Sequence, residues 1–323
     1  MPLFFIISGF FAKKYTGKIA RIKKLFSQRL IPVFVFAGLF IPIWLVKYKY
    51  FNGDFHITQI VNQSLSYLKG SPQLNFITWF LICLFTAEVN AVLLGIISDS
   101  RKINLYSGIF LIILGYLIIE KRAAISTYTG LQLNYWYIDE SLIVLGFYLV
   151  GNWLFPVLME IKEKKKWLIF TIVPVLLIVL TLTTTLGWNR SIVIMAISQH
   201  GEFLPFVIES LFGTILIICI GMIIPPNRIT RFIGSNTLVL LGLNGLFFHF
   251  INSIVAKWTY VGDSFLITIN CLVVSFLSIL ICVPIVFFLN TYFPFFFSKT
   301  DMLQKNNRNL KIWFNDNSQI RDR

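Results

Sequence analysis

The sequence predicts an all-α protein, a polytopic bundle of transmembrane helices. Three observations predict it. Apolar residues make up 57% of the 323-residue chain and charged residues only 13%, with a mean hydropathy of +0.77. A soluble domain carries about 25% charged residues. The apolar residues are gathered into blocks near the ~20 residues that a helix needs to cross a ~30 Å bilayer core. The lysines and arginines between the blocks are shared very unequally between alternate loops.

The blocks run in order over 30–46, 76–97, 103–119, 138–155, 167–186, 206–224, 236–256 and 264–290. Residues 1–12 are equally apolar but too short to span. No long polar stretch marks a second soluble domain, so 1–297 reads as one membrane domain and 298–323 as a polar, basic tail. The tail reads as disordered by composition, although Leu310, Ile312, Trp313 and Phe314 suit a lipid surface.

Alternate loops set the orientation. Twenty-one lysines and arginines fall in the linker after residue 12, in the loops around Arg101, Lys164 and Arg228, and in the tail, against seven in the loops between. The positive-inside rule places the first group, including the C-terminus, in the cytoplasm of a bacterial-type inner membrane. The same distribution explains the net charge of +14 without nucleic acid, because no soluble basic face tracks phosphates. Cys83, Cys219, Cys271 and Cys282 all lie in apolar blocks with no CxxC spacing, and read as buried thiols. His56, His200 and His249 are too scattered for a metal site, so no metal is expected.

A basic linker that begins at residue 13 in the cytoplasm puts residue 1 at the outer side with no helix to carry it there. One upstream span would resolve this, so the chain is expected to be truncated by about one helix, with about nine segments visible of ten.

Polar groups inside spans are costly and mark either a partner or a function. Glu88 and Asn90 stand inside 76–97, and Asn244 and His249 inside 236–256. Asn244 and His249 are five residues apart and do not share a helix face. Asn236 and Thr237 follow Gly234-Ser235, where Asn commonly caps a helix N-terminus. Asp139 and Glu140 open block 138–155 at the outer edge, as caps of the following span or as contacts to a ligand. Tyr135, Trp136 and Tyr137 beside them suit an interfacial aromatic belt.

The opening Met1-Pro2-Leu3-Phe4-Phe5-Ile6-Ile7-Ser8-Gly9-Phe10-Phe11, the basic residues after it, and Arg29-Leu30-Ile31-Pro32 resemble the acyltransferase 3 family of membrane acyltransferases. Trp79-Phe80-Leu81 resembles that family's Trp-Phe-Leu span. Further matches follow in order: the span from Tyr137 and Asp139 through Phe147 to Gly151, and then Ile233-Gly234-Ser235-Asn236-Thr237-Leu238. The branch it looks closest to is that of fucose 4-O-acetylase-like sugar O-acetyltransferases. The resemblance covers nearly the whole chain and implies ten spans with cytoplasmic termini. It implies transfer of an acetyl group from acetyl-CoA to a sugar hydroxyl of a surface polysaccharide or its lipid-linked precursor.

It also implies a catalytic His on the family's first span, which would lie upstream of Met1. Among the residues present, His249 and Glu88 are left as candidate acid–base groups. The 323-residue chain by itself is therefore expected not to catalyse transfer. Arg29, Lys24, Lys23 and Arg21 are the candidate contacts to the CoA phosphates, with Arg29 best placed for a two-pronged contact at a membrane edge. The partners expected are membrane lipids, acyl-CoA and a carbohydrate acceptor. A polysaccharide-unit transporter is the rival reading, but Pro225-Pro226 and Pro284 have no matching pair of broken helices in the first half. A non-functional gene remnant is a third.

Overall fold

In the computed structural model the described residues are 1–14, 17–51, 57–130, 133–188, 193–225, 227–247 and 264–292. They form α1 (Pro2–Phe10), α2 (Lys18–Leu25), α3 (Ile31–Phe51), α4 (Ile57–Leu65), α5 (Trp79–Leu94), α6 (Arg101–Glu120) and α7 (Arg122–Thr129). The chain continues through α8 (Ile138–Lys164), α9 (Lys166–Thr185), α10 (Phe203–Ile223), α11 (Arg228–Leu246) and α12 (Ser264–Tyr292). Among the described residues the only pairing of extended backbone is one bridge, Ile194–Gln199. The all-α architecture follows from the composition: in hydrocarbon each backbone N–H and C=O must find a partner within its own segment, which a helix provides.

Among the described residues, six helical stretches are long and apolar enough to cross a membrane: Lys18–Lys47, Phe76–Leu94, Arg101–Glu120, Tyr135–Lys164, Phe203–Ile223 and Leu266–Tyr292. α1 has nine residues, or about 14 Å at 1.5 Å per residue. The apolar part of α9, Trp167–Thr183, is shorter than these six. α11 starts with a polar turn containing Arg228 and Arg231.

The basic linker differs from its expected form. Read as a loop to residue 29, it is instead helical from Lys18 and runs into α3 through a π-turn, Phe26–Leu30. The cause lies three residues past Arg29. Pro32 has no N–H for the carbonyl of Gln28, and its ring crowds that oxygen. The turn widens, and Ile31 N–H reaches back five residues to the Phe26 carbonyl.

A second expectation is corrected at Asn236. It does not open a helix, because α11 has already begun at Arg228. The cap is Asn227, whose side chain accepts from Thr230 N–H at 2.8 Å while Thr230 Oγ1 accepts from Asn227 N–H at 3.1 Å. That reciprocal pair satisfies two of the orphan donors of a helix start. Asn236 lies mid-helix, donating to the Phe232 carbonyl and accepting from Asn290 Nδ2 of α12 at 2.7 Å.

The core is built on α8. α6 packs against it antiparallel through glycines: a methyl at Gly108 would come 2.9 Å from the Gly146 carbonyl, and one at Gly115 2.7 Å from the Ile143 side chain. α1 crosses α8 as closely, Gly9 lying on the Tyr148 carbonyl and Gly151 on the Ile6 carbonyl. Small residues let helix backbones approach where lipid supplies no hydrophobic drive. Asn152 clamps this meeting point, accepting from Asn104 of α6 at 2.8 Å and donating to the Ala12 carbonyl after α1 at 3.1 Å.

The two ends of the bundle are distinct. At one end Lys14 pairs with Asp99 and Lys164 with Glu160. At the other, Arg122 pairs with Asp139, Tyr116 donates to the Gly201 carbonyl, and Trp136 donates to the Leu68 carbonyl. We propose that the first end is cytoplasmic, as the loop charges require. A cysteine placed at Thr127 should then react with a membrane-impermeant thiol reagent from outside, and one at Glu163 only after permeabilisation. The reverse pattern rejects the orientation.

Candidate functional site

Two buried charge clusters sit on opposite sides of the structural problem posed by polar groups in a lipid-facing bundle. The first gathers residues far apart in the chain. Glu88, on α5, is 4% exposed. The π-turn aims Arg29 at it, with Nε to Oε2 at 2.9 Å and Nη2 to Oε1 at 3.3 Å. Arg21, one helix earlier, stands 3.8 Å from Oε1. Parallel donors from one guanidinium to both oxygens form the strong, oriented version of an ion pair. Two guanidiniums on one carboxylate leave the cluster cationic whatever the carboxylate's state, since Arg does not lose its proton in proteins.

Of the four expected donor-binding residues, the structure thus brings together Arg29 and Arg21, and joins them to Glu88. Lys23 and Lys24 are exposed on α2. Lys18 docks α2 on the end of α5 by donating to the Leu93 carbonyl at 2.9 Å. Asn90 turns to the opposite face of α5 from Glu88 and donates to Ser141 of α8 at 3.1 Å. Asn244 lines a shallow apolar groove between α11 and α12 with Thr237 and Ser278. His249, His56 and the tail 298–323 lie outside the described residues.

The second cluster joins Asp139 and Glu140, expected as caps or ligand contacts, to a histidine that the sequence reading did not connect with them. His200 and Glu140 are 3% and 0% exposed, and His200 Nε2 lies 3.0 Å from Glu140 Oε1. Asp139 is 1% exposed; one of its oxygens takes Arg122 Nη1 at 2.9 Å and the other accepts Glu140 N–H at 2.8 Å. The ring of His200 packs edge-on against Phe206 at 4.8 Å. The segment before His200 is closed tightly, with Ile194 and Gln199 exchanging backbone hydrogen bonds of 2.7 and 3.1 Å. Beside this cluster opens a cavity of about 910 Å³, lined in part by Arg122, Tyr137, Asp139 and Ser198. Burial holds the nearby Tyr67 phenol above its ordinary range, and its oxygen accepts from Asn75 N–H at 3.2 Å. A carboxylate pair opening a span was the one available signal for this site. Its histidine partner is sixty residues away in the chain.

A second cavity, of about 840 Å³, lies at the opposite end, where Lys13, Lys14, Arg101 and Lys164 are matched by Asp99, Glu160 and Glu163. Among the described residues no group of three or more His, Cys, Asp or Glu is placed to hold a metal ion.

A helical membrane bundle with a paired carboxylate and two arginines inside it defines a multi-pass membrane protein with buried polar machinery. Residues 1–302 match the acyltransferase 3 family model, described as an acyltransferase domain, and the chain belongs to that family. Its family activity is therefore acyl transfer. No curated protein and no solved structure matches the chain.

Proposed function

We propose that this protein transfers an acetyl group from acetyl-CoA to a carbohydrate hydroxyl, on a surface polysaccharide or its lipid-linked precursor. The fucose 4-O-acetylase-like motifs favour a sugar acceptor. The observation that carries the reading is the Arg29–Glu88–Arg21 cluster in a membrane acyltransferase bundle. CoA is polyanionic and cytoplasmic. A fixed pair of guanidiniums at the head of a span, on the end richest in lysine and arginine, suits its phosphates.

The chemistry needs three roles. The acceptor oxygen attacks the thioester carbonyl carbon, the C–S bond breaks, and the CoA sulfur leaves with a proton. A general base must take the hydroxyl proton, and fixed dipoles must meet the oxyanion. Glu88 is engaged by Arg29 through both oxygens. Its role in this reading is to hold that guanidinium at the phosphate end of CoA, a pantetheine arm away from the thioester, which leaves His249 as the candidate base.

Membranes holding this protein together with any sequence that flanks it in its gene, from a host lacking such enzymes, should move label from radiolabelled acetyl-CoA into the carbohydrate fraction. Arg29→Ala should lower the apparent affinity for acetyl-CoA by about tenfold, equal to ~1.4 kcal/mol for one charge-assisted contact, while Arg101→Ala changes it little. Arg29→Lys should recover part of it, since an ammonium keeps the charge but not the fork. Label that stays on acetyl-CoA, or an Arg29→Ala variant matching the wild type at equal protein level, rejects the reading.

A further inference from the structure

We infer that the cavity beside the Asp139–Glu140–His200 cluster is a binding site for a short saccharide, opening at the end of the bundle opposite the basic linker; as the seat of the acceptor, it rests on the proposed acyl transfer. Three independent observations meet there. The first is the lining. Asn62, Gln73 and Asn134 present amides, which donate and accept at once, as a sugar hydroxyl does. Tyr135 adds an aromatic ring. At about 910 Å³ the cavity is within the ~300–1,000 Å³ of small-molecule sites, and has room for more than one sugar ring.

The second is charge balance. The cavity's two cations are both engaged: Arg122 is tied to Asp139 at 2.9 Å, and Lys69 sits over the Tyr135 ring at 5.7 Å. Asp139, oriented by Arg122 and by the Glu140 N–H, is left as an acceptor for a hydroxyl proton donor on the wall.

The third is strain. Among the described residues, the non-glycine positions with φ in the left-handed region are Trp136 at 55°, Tyr137 at 55° and Ser198 at 56°. Tyr137 and Ser198 line this cavity, and Trp136 adjoins it, its Cα packed within 2.6 Å of where a methyl on Gly70 would stand. Each such residue is strained and persists only where its surroundings over-determine it. The surroundings here are the buried His200–Glu140 pair and the Ile194–Gln199 bridge, which hold the 196–198 wall against the first turn of α8. We therefore assign His200 and Glu140 as positioning residues.

The test reads occupancy and needs no acyl transfer, so its failure is separable from failure of the transferase reading. Asn62→Cys is labelled with a membrane-impermeant maleimide on intact cells. Thr127→Cys, exposed on α7 at the same end, serves as the control. The probes are L-fucose, D-galactose and N-acetylglucosamine, each with its methyl glycoside, and inorganic phosphate. At least one sugar should slow Asn62→Cys labelling about threefold at a concentration near twice its dissociation constant, leave Thr127→Cys unaffected, and lose its effect when Tyr135→Ala is added. Gln73→Cys repeats the measurement if Asn62→Cys accumulates poorly. The inference is overturned if no sugar protects either position, if Thr127→Cys is slowed equally, or if phosphate alone protects.

Discussion

Glu88→Ala should destabilise the bundle by about 3 kcal/mol, more than removal of either arginine that faces it. Breaking a buried ion pair from one side costs about 3–5 kcal/mol, because the remaining charge is left in a low-dielectric site. The low end applies here because Arg29 is 27% exposed and reaches some solvent. The asymmetry follows from the count of charges. Loss of Glu88 takes the shared carboxylate from two guanidiniums that stand 2.9 and 3.8 Å from it, whereas loss of Arg29 leaves Glu88 with Arg21. Arg29→Ala should therefore cost less, and Arg21→Ala least, since a 3.8 Å contact is at the outer limit of a useful pair. The double variant Glu88→Ala with Arg29→Ala should be more stable than the sum of its parts predicts, by about 1–2 kcal/mol. Unfolding of purified protein in mixed micelles measures all four. If Glu88→Ala unfolds with the wild type, the pair does not hold α2 to α5.

The sequence was most legible where hydropathy alone decides. The block at 167–186 became α9 at Lys166–Thr185, and the block at 103–119 became α6 at Arg101–Glu120, because a lipid-facing helix must be apolar along its whole length. It was least legible where charge masks a helix. Lys18, Arg21, Lys23 and Lys24 read as a loop, yet they form α2, with its last turn carrying two lysines at the favourable C-terminal end. The start of α11 was missed for a related reason. Pro225-Pro226 marked a break, but Asn227, the residue that caps the helix, sits directly after it, and Gly234-Ser235-Asn236 offered a more conspicuous false start. Glu88 was legible alone as a costly group within a span, and Arg29 and Arg21 as cations of the basic linker. Their meeting was not, since 59 residues separate Glu88 from Arg29 and no local pattern encodes a contact at that range. His200 was read as one more loop histidine, because only the fold brings it against Glu140.

The glycines of the α1–α8 crossing should be among the least replaceable residues in the chain. Gly9→Ala and Gly151→Ala should each destabilise by about 3 kcal/mol, the upper part of the ~1–3 kcal/mol cost of overpacking. The reason is the identity of the obstructing atoms. A methyl on Gly9 lands on the carbonyl of Tyr148, and one on Gly151 lands on the carbonyl of Ile6. Both obstacles are backbone, fixed by their own helical hydrogen bonds, so no rotamer change relieves them and the helices must part. Parting them also loosens the Asn152 clamp, which reaches the Ala12 carbonyl from α8, and draws the basic linker away from the bundle. Gly108→Ala, whose new methyl would stand 2.9 Å from the Gly146 carbonyl, should cost less, because a shift of a few tenths of an ångström relieves it. Gly213 and Gly221 on α10 meet nothing within 4 Å. Alanine there should be neutral or stabilising by about 0.4–1 kcal/mol through the unfolded state. Five single variants, compared by thermal loss of monodispersity in one detergent, measure the contrast. A Gly9→Ala protein as stable as Gly213→Ala would mean that α1 does not cross α8 at this distance, and the close packing of the two helices would have to be abandoned.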